Sequence, residues 1–330
     1  MWTWVWSHHS PHDPRSYTQM CEAPRDQGVY LDLLETAIKC LQGGNLHVQT
    51  QFLDLLRVSH KALTVMMRQL RAASASLREA ATQASAGASG SIALLLGVQV
   101  SLDVASQRTD AAGDSIAKAV AGGGSYAATA ARRAGDAIPM TTVTKVILRF
   151  LQVLCEGHNL EMQNFLRTQG GKAGATNLVA EAVSVLRDIQ PHLVAPSSAQ
   201  VDAVELAIQV RSRPCVATPR GEDRVHACAF AVRVLQALDT VTELVQGPCP
   251  DNQMELVTHK FVEVVGSIVE SGAGKGTLAG KELQQKCMLA MTSLFEGRRD
   301  RDIHHRVASL LNTQVRGHVW RMCSPWGRFT

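Results

Sequence analysis

The sequence predicts an all-α fold built by stacking helix pairs, and three observations lead there. Apolar residues recur at three- and four-residue steps through most of 29–71 and 141–315, with no convincing period-two alternation. Hydrophobic residues make up 45% of the 330 residues but aromatic ones only 5%, so the interior is packed from Ala, Leu, Val and Met with a few Phe. All five tryptophans (Trp2, Trp4, Trp6, Trp320, Trp326) lie near the two ends, which leaves the middle to aliphatic helix-on-helix packing. Charge excludes one class of partner: 33 Lys+Arg against 29 Asp+Glu leave +4, spread without a basic stripe, so nucleic acid is not expected.

Residues 1–28 contain Pro11, Pro14, Pro24 and three histidines without helical period, and read as a disordered leader. They have neither the basic start nor the apolar run of a secretory signal. A helical hairpin is expected over 29–71: Leu31, Leu34, Ile38 and Leu41 mark its first helix, Gly43-Gly44 ends it, and Asn45 begins a second helix running to Leu70. Residues 72–140, dominated by Ala, Ser, Gly and Thr with Gly122-Gly123-Gly124 inside, read as a flexible low-complexity connector with one short helix near Ile92–Val104. Pro139 precedes an apolar helix through Val143, Ile147, Phe150, Leu151 and Leu154 that stops at Gly157. Further helices are expected at Leu160–Thr168, Asn177–Gln190, Val201–Val210, Val225–Gln246, Gln253–Glu270, Leu278–Glu296 and Asp302–Gln314, with a surface loop at Pro214–Asp223 and a tail at 316–330.

No membrane span is expected, because the longest apolar run, Ile92–Val100, is about half of the roughly 20 residues a spanning helix needs. The eight cysteines have neither C-x-x-C pairs nor zinc-finger spacing, so reduced, mostly buried thiols of a cytosolic protein are expected rather than disulfides or zinc.

One local pattern occurs three times: Leu41-Gln-Gly43-Gly-Asn-Leu-His-Val-Gln49, Cys155-Glu-Gly157-His-Asn-Leu-Glu-Met-Gln163 and Val245-Gln-Gly247-Pro-Cys-Pro-Asp-Asn-Gln253. Each is a helix end, a Gly, and a Gln six residues beyond it. Gly supplies the left-handed residue that ends a helix, and Asn45, Asn159 or Asp251 is suited to cap the next one. Such a unit, repeated at irregular intervals, fits an armadillo-like α-solenoid better than a single bundle.

These turns carry a resemblance. Ile147-Leu-Arg-Phe-Leu-Gln-Val-Leu-Cys-Glu-Gly-His-Asn-Leu-Glu-Met-Gln-Asn-Phe-Leu-Arg-Thr-Gln169 resembles the start of the RIH-associated domain of inositol trisphosphate receptors and ryanodine receptors. Leu238-Asp-Thr-Val-Thr-Glu-Leu-Val-Gln-Gly-Pro-Cys-Pro-Asp-Asn-Gln253 and Met291-Thr-Ser-Leu-Phe-Glu-Gly297 are similar to later parts of it, and Leu41–Gln49 resembles the helical segment before it. The likeness runs through about 31–315, with the domain itself at 141–315, and is weakest over 72–140 and 188–225.

The resemblance implies an armadillo-like regulatory segment of an intracellular calcium-release channel, on the cytoplasmic face of the endoplasmic reticulum membrane. It would relay ligand state to a pore not contained in this chain, and its partners would be other domains or subunits of that channel. It further implies that Glu156 and Glu243 are Ca²⁺ ligands, with His158 and Gln246 in nearby supporting positions. Ca²⁺ takes six to eight hard oxygens, so two carboxylates without the pore-side ligand would bind it weakly. The residues agree with that placement, since acids near a helix C-terminus face partial negative charge and gain from a cation. The alternative reading is a stand-alone cytoplasmic helical scaffold for protein–protein interaction.

Enzymatic readings fall short. Ser271-Gly-Ala-Gly-Lys-Gly-Thr277 lacks the upstream Gly and strand of a phosphate-binding loop and reads as an inter-helix loop. His304 and His305 are adjacent and point about 100° apart on a helix, so a solvated charged face is expected there rather than a metal site. No Ser or Cys sits in a recognisable nucleophile arrangement. Neither a catalytic residue nor an organic cofactor is expected.

Overall fold

The computed structural model describes residues 27–58, 61–85, 140–171, 174–194, 222–272, 278–298 and 301–311. The expected helix at Val201–Val210, the short helix near Ile92–Val104, most of the Pro214–Asp223 and Ser271–Thr277 loops, residues 1–26 of the leader and the tail lie outside them, while residues 27–28, expected in the leader, open the first helix.

Eleven α-helices appear among the described residues, with no strand. They are α1 (Gln27–Leu41), α2 (Leu46–Val58), α3 (Lys61–Ser85), α4 (Met140–Cys155), α5 (Leu160–Thr168), α6 (Leu178–Val194), α7 (Glu222–Val245), α8 (Pro250–Thr258), α9 (Phe261–Ser271), α10 (Leu278–Ser293) and α11 (Arg301–Leu310). A single 3-10 turn, Gln169–Gly171, follows α5.

The repeat is a triplet of helices rather than the expected pair. Two longer helices bracket a short one in α1–α2–α3, α4–α5–α6 and α7–α8–α9. First helices pack in series, α1 on α4, α4 on α7 and α7 on α10. Third helices form a second series, α3 on α6, α6 on α9 and α9 on α11, while the short α2, α5 and α8 line one edge. One continuous apolar core runs through the stack from Tyr30 to Leu311, with Leu31, Leu41, Leu70, Ile147, Leu151, Leu154, Met162 and Phe261 among its fully buried side chains.

The extra break has a local cause. Apolar residues keep a helical step across 253–270, which makes that stretch look like one helix, but Lys260 takes a left-handed φ of 67° and separates α8 from α9. The sequence expectation of a single helix from Asn45 to Leu70 also differs from the structure, where α2 ends at Val58 and α3 begins at Lys61. In turn α3 continues to Ser85, fourteen residues past the expected end of the hairpin, so 72–85 is helix rather than connector. Ala, Arg, Glu and Gln in that segment are good helix formers despite lacking bulky apolar side chains.

Asn caps act as expected at two turns. Asn45 Oδ1 accepts from the Val48 N–H at 3.3 Å and Asn159 Oδ1 from the Met162 N–H at 3.1 Å. At the third, Cys249 occupies the cap position without a side-chain bond and Pro250 opens α8, so Asp251 sits inside the helix instead of capping it. Asp251 bonds Arg167 of α5 at 2.8 Å.

Candidate functional site

Every first helix ends in the same way. Gly43, Gly157, Gly247 and Gly297 follow α1, α4, α7 and α10 with φ of 79°, 80°, 79° and 68°. The turns stack directly on one another. A Cβ added to Gly247 would lie 2.2 Å from His158 Cβ, and one on Gly297 would lie 2.4 Å from Pro248 Cβ, so the residue after each of these glycines packs onto the glycine of the next turn. His158 itself adopts a left-handed φ of 65°, a costly conformation for a side-chain-bearing residue.

The recurring glutamines join these turns. Gln49 Nε2 donates to the carbonyls of Val153 (3.0 Å) and Glu156 (2.8 Å). Gln163 Nε2 donates to Glu243 (2.7 Å) and Gln246 (2.8 Å). Gln253 Nε2 donates to Ser293 (2.9 Å) and Glu296 (3.0 Å). The last carbonyls of a helix have no intrahelical partner, and here the preceding unit supplies it. All three glutamines are essentially fully buried, which suits amides whose donors are satisfied. The fourth turn closes the ladder with a carboxylate: Glu296 Oε2 accepts from the Gly247 N–H at 3.0 Å. Six residues past Gly297 stands the buried Ile303, so the glutamine pattern stops there.

Residues 139–269 match the family described as RyR and IP3R Homology associated. This segment is an RIH-associated domain. The chain is also similar to the inositol 1,4,5-trisphosphate receptor itr-1 of Caenorhabditis elegans, with 27% identity over 178 residues. That alignment covers 52% of this chain and 5% of the relative, so the chain corresponds to a small part of that protein's length. The glutamine ladder reaches beyond the RIH-associated domain on both sides, to Gly43 and to Gly297.

Within the domain, the four residues singled out by resemblance fall on two successive turns. Glu156 lies one residue past the end of α4, and Glu243 lies in the last turn of α7. His158 packs on Gly247, which neighbours Gln246. Gln246 contributes through its backbone: its N–H donates to Thr242 O at 2.9 Å and its carbonyl receives Gln163.

The electrostatics of the pair fit a cation. Burial pushes the Glu243 carboxyl up to about 7; the negative charge of Glu156 adds to that rise, and His158 works against it. Glu156 Oε2 is buried without a hydrogen-bond partner. Two hard-oxygen acids that raise one another's energy match what Ca²⁺ requires of its ligands. Among the described residues no group of three or more His, Cys, Asp or Glu could hold a metal ion.

One other sequence expectation fails. His304 is buried rather than part of a solvated face, and its ring stacks on Phe295 with centroids 4.8 Å apart, while His305 is exposed. The apolar step of α11 hid this, because Ile303, His304 and Val307 share the packed face. Cys155, Cys249 and Cys287 are buried free thiols, and Cys40 is an exposed one. No helix of the described residues is long and apolar enough to cross a membrane.

The residues that sequence reasoning passed over are the glutamines and Glu296. Their spacing from Gly was visible as a pattern, but its meaning lies in contacts between residues 40 to 107 positions apart.

Proposed function

We propose that this chain is a regulatory coupling segment of an intracellular calcium-release channel, relaying ligand state to a pore formed outside it at the cytoplasmic face of the endoplasmic reticulum. The supporting observation is the coupled carboxylate pair Glu156 and Glu243, held on adjacent turns of one ladder within an RIH-associated domain. Ca²⁺, when bound, supplies positive charge between two acids that otherwise repel. This chain's own part is to hold both carboxylates, keep Glu156 Oε2 away from competing donors, and tie each acid's backbone to the neighbouring unit. Its partners in this reading are other domains or subunits of the channel, and it works by helix contacts rather than by catalysis.

The affinity expected of two carboxylates without further ligands is millimolar, at the weak end of protein calcium sites. Calorimetric titration of the chain with CaCl₂ tests this. Millimolar binding that vanishes in the Glu156→Gln, Glu243→Gln double variant is the expected result. Binding that survives the double substitution overturns the assignment.

A further inference from the structure

Each of the three glutamines makes a pair of bonds of the same kind, yet they join different neighbours. Gln49 ties α2 to the turn that carries Glu156, and Gln253 ties α8 to the turn that carries Glu296. Of the three, only Gln163 links the unit that carries Glu156 to the turn that carries Glu243. Its helix starts four residues after Glu156, and its Nε2 bonds the carbonyl of Glu243 itself at 2.7 Å.

The backbone of Gln163 is held from the same side. Asn252 Nδ2 donates to Gln163 O at 3.0 Å and to Leu244 O at 2.8 Å, so the residue beside Glu243 and the stapling glutamine share one donor. Gln49 Oε1 accepts from Asn159 at 3.0 Å, which anchors the other end of that amide. Gln163 Oε1 is buried without a partner, so the carbonyls of Glu243 and Gln246 are what fix its amide.

We infer that Gln163 is the positioning residue of the Glu156–Glu243 pair, setting the separation at which the two carboxylates can share one cation. The inference rests on the calcium reading above. When both acids are ionised, like charges oppose the close approach that sharing one cation needs, and the Gln163 staple holds the Glu243 backbone without touching either carboxylate. Removing such a supporting group from around a metal typically weakens binding about 10- to 100-fold.

The test compares two substitutions that delete equivalent staples while keeping an unbranched side chain of similar size: Gln163→Met and Gln253→Met. Each full-length variant is titrated with CaCl₂ by calorimetry, and its unfolding midpoint in urea is measured alongside. Gln163→Met is expected to weaken binding about tenfold or more, while Gln253→Met, whose staple touches neither acid, loses comparable stability and binds Ca²⁺ as the unsubstituted chain does. Should Gln163→Met fail to fold, Gln163→Asn, one methylene short of both carbonyls, takes its place. Equal weakening in both variants would make Gln163 a merely structural residue, and unchanged binding in the Gln163 variant would also overturn the inference while leaving the calcium reading intact. Binding that persists in the Glu156→Gln, Glu243→Gln chain would remove the calcium reading, and this inference with it.

Discussion

Replacing Gly247 by Ala probes the stacking of the turns with a built-in control. Gly43 and Gly247 share a φ of 79°, so the backbone strain of an L-residue, about 1–2 kcal/mol, is common to Gly43→Ala and Gly247→Ala. A Cβ on Gly43 meets nothing within 4 Å, whereas one on Gly247 meets His158 Cβ at 2.2 Å, Cγ at 2.3 Å and Nδ1 at 2.4 Å. Something must move, and overpacking of this kind costs about 1–3 kcal/mol. Gly43→Ala is therefore expected to destabilise by about 1–2 kcal/mol, and Gly247→Ala by about 2–5 kcal/mol. Urea unfolding followed by far-ultraviolet circular dichroism measures both. Combining Gly247→Ala with His158→Gly deletes the clashing atoms and should return the cost of the alanine to that seen at Gly43. Equal destabilisation by the two alanines, or no recovery in the double variant, would refute the idea that successive turns pack directly on one another.

The remaining expectations use other observations. Replacing Gln253 by Leu removes two hydrogen bonds to the Ser293 and Glu296 carbonyls and should lower stability by about 1–3 kcal/mol, read from the same urea transitions. Glu243 holds its proton in the folded chain up to a pH of about 7, against an ordinary value of 4.5, so the folded state binds more protons between those values. Stability should accordingly fall as pH rises from about 4.5 to 7 and level off above, and Glu243→Gln should flatten that part of a melting-temperature profile. Burial pushes the Cys287 thiol up to about 12, and raises that of Cys155 as well, whereas Cys40 is exposed. Peptide mapping after brief iodoacetamide treatment of the native chain should find Cys40 modified while Cys155, Cys249 and Cys287 stay protected until urea is added.

Much of the helix pattern is legible in the sequence because burial imposes a 3.6-residue period wherever a helix faces a neighbour. Leu31, Leu34, Ile38 and Leu41 announce α1, and Ile147, Leu151 and Leu154 announce α4, since one face of each is wholly covered. What periodicity hides is a break that keeps the apolar step, as at Lys260, where only a backbone reversal shows that two helices are present. Composition also misleads at 72–85, where small and polar residues suggest a connector but helix propensity and the packing of α3 on α6 sustain the helix.

The candidate site is half legible for a similar reason. The turn motif and its Gln are local and can be read from order alone, and the resemblance points to Glu156, His158, Glu243 and Gln246. Their meeting is not local. Gln163 reaches Glu243 across 80 positions, and the partnerless state of Glu156 Oε2 depends on what surrounds it in three dimensions. Glu296 was invisible as part of the ladder because its role is to receive the N–H of Gly247, 49 residues earlier.

The central claim is that two carboxylates on adjacent stapled turns act as one cation-responsive unit. Backbone amide shifts of the isotope-labelled chain, followed during a CaCl₂ titration, test it most directly. The account expects the amides of the Gly157 and Gly247 turns to shift together along one millimolar isotherm, and not to shift in the Glu156→Gln, Glu243→Gln chain. Shifts confined to one of the two turns, or unchanged in that double variant, would contradict it.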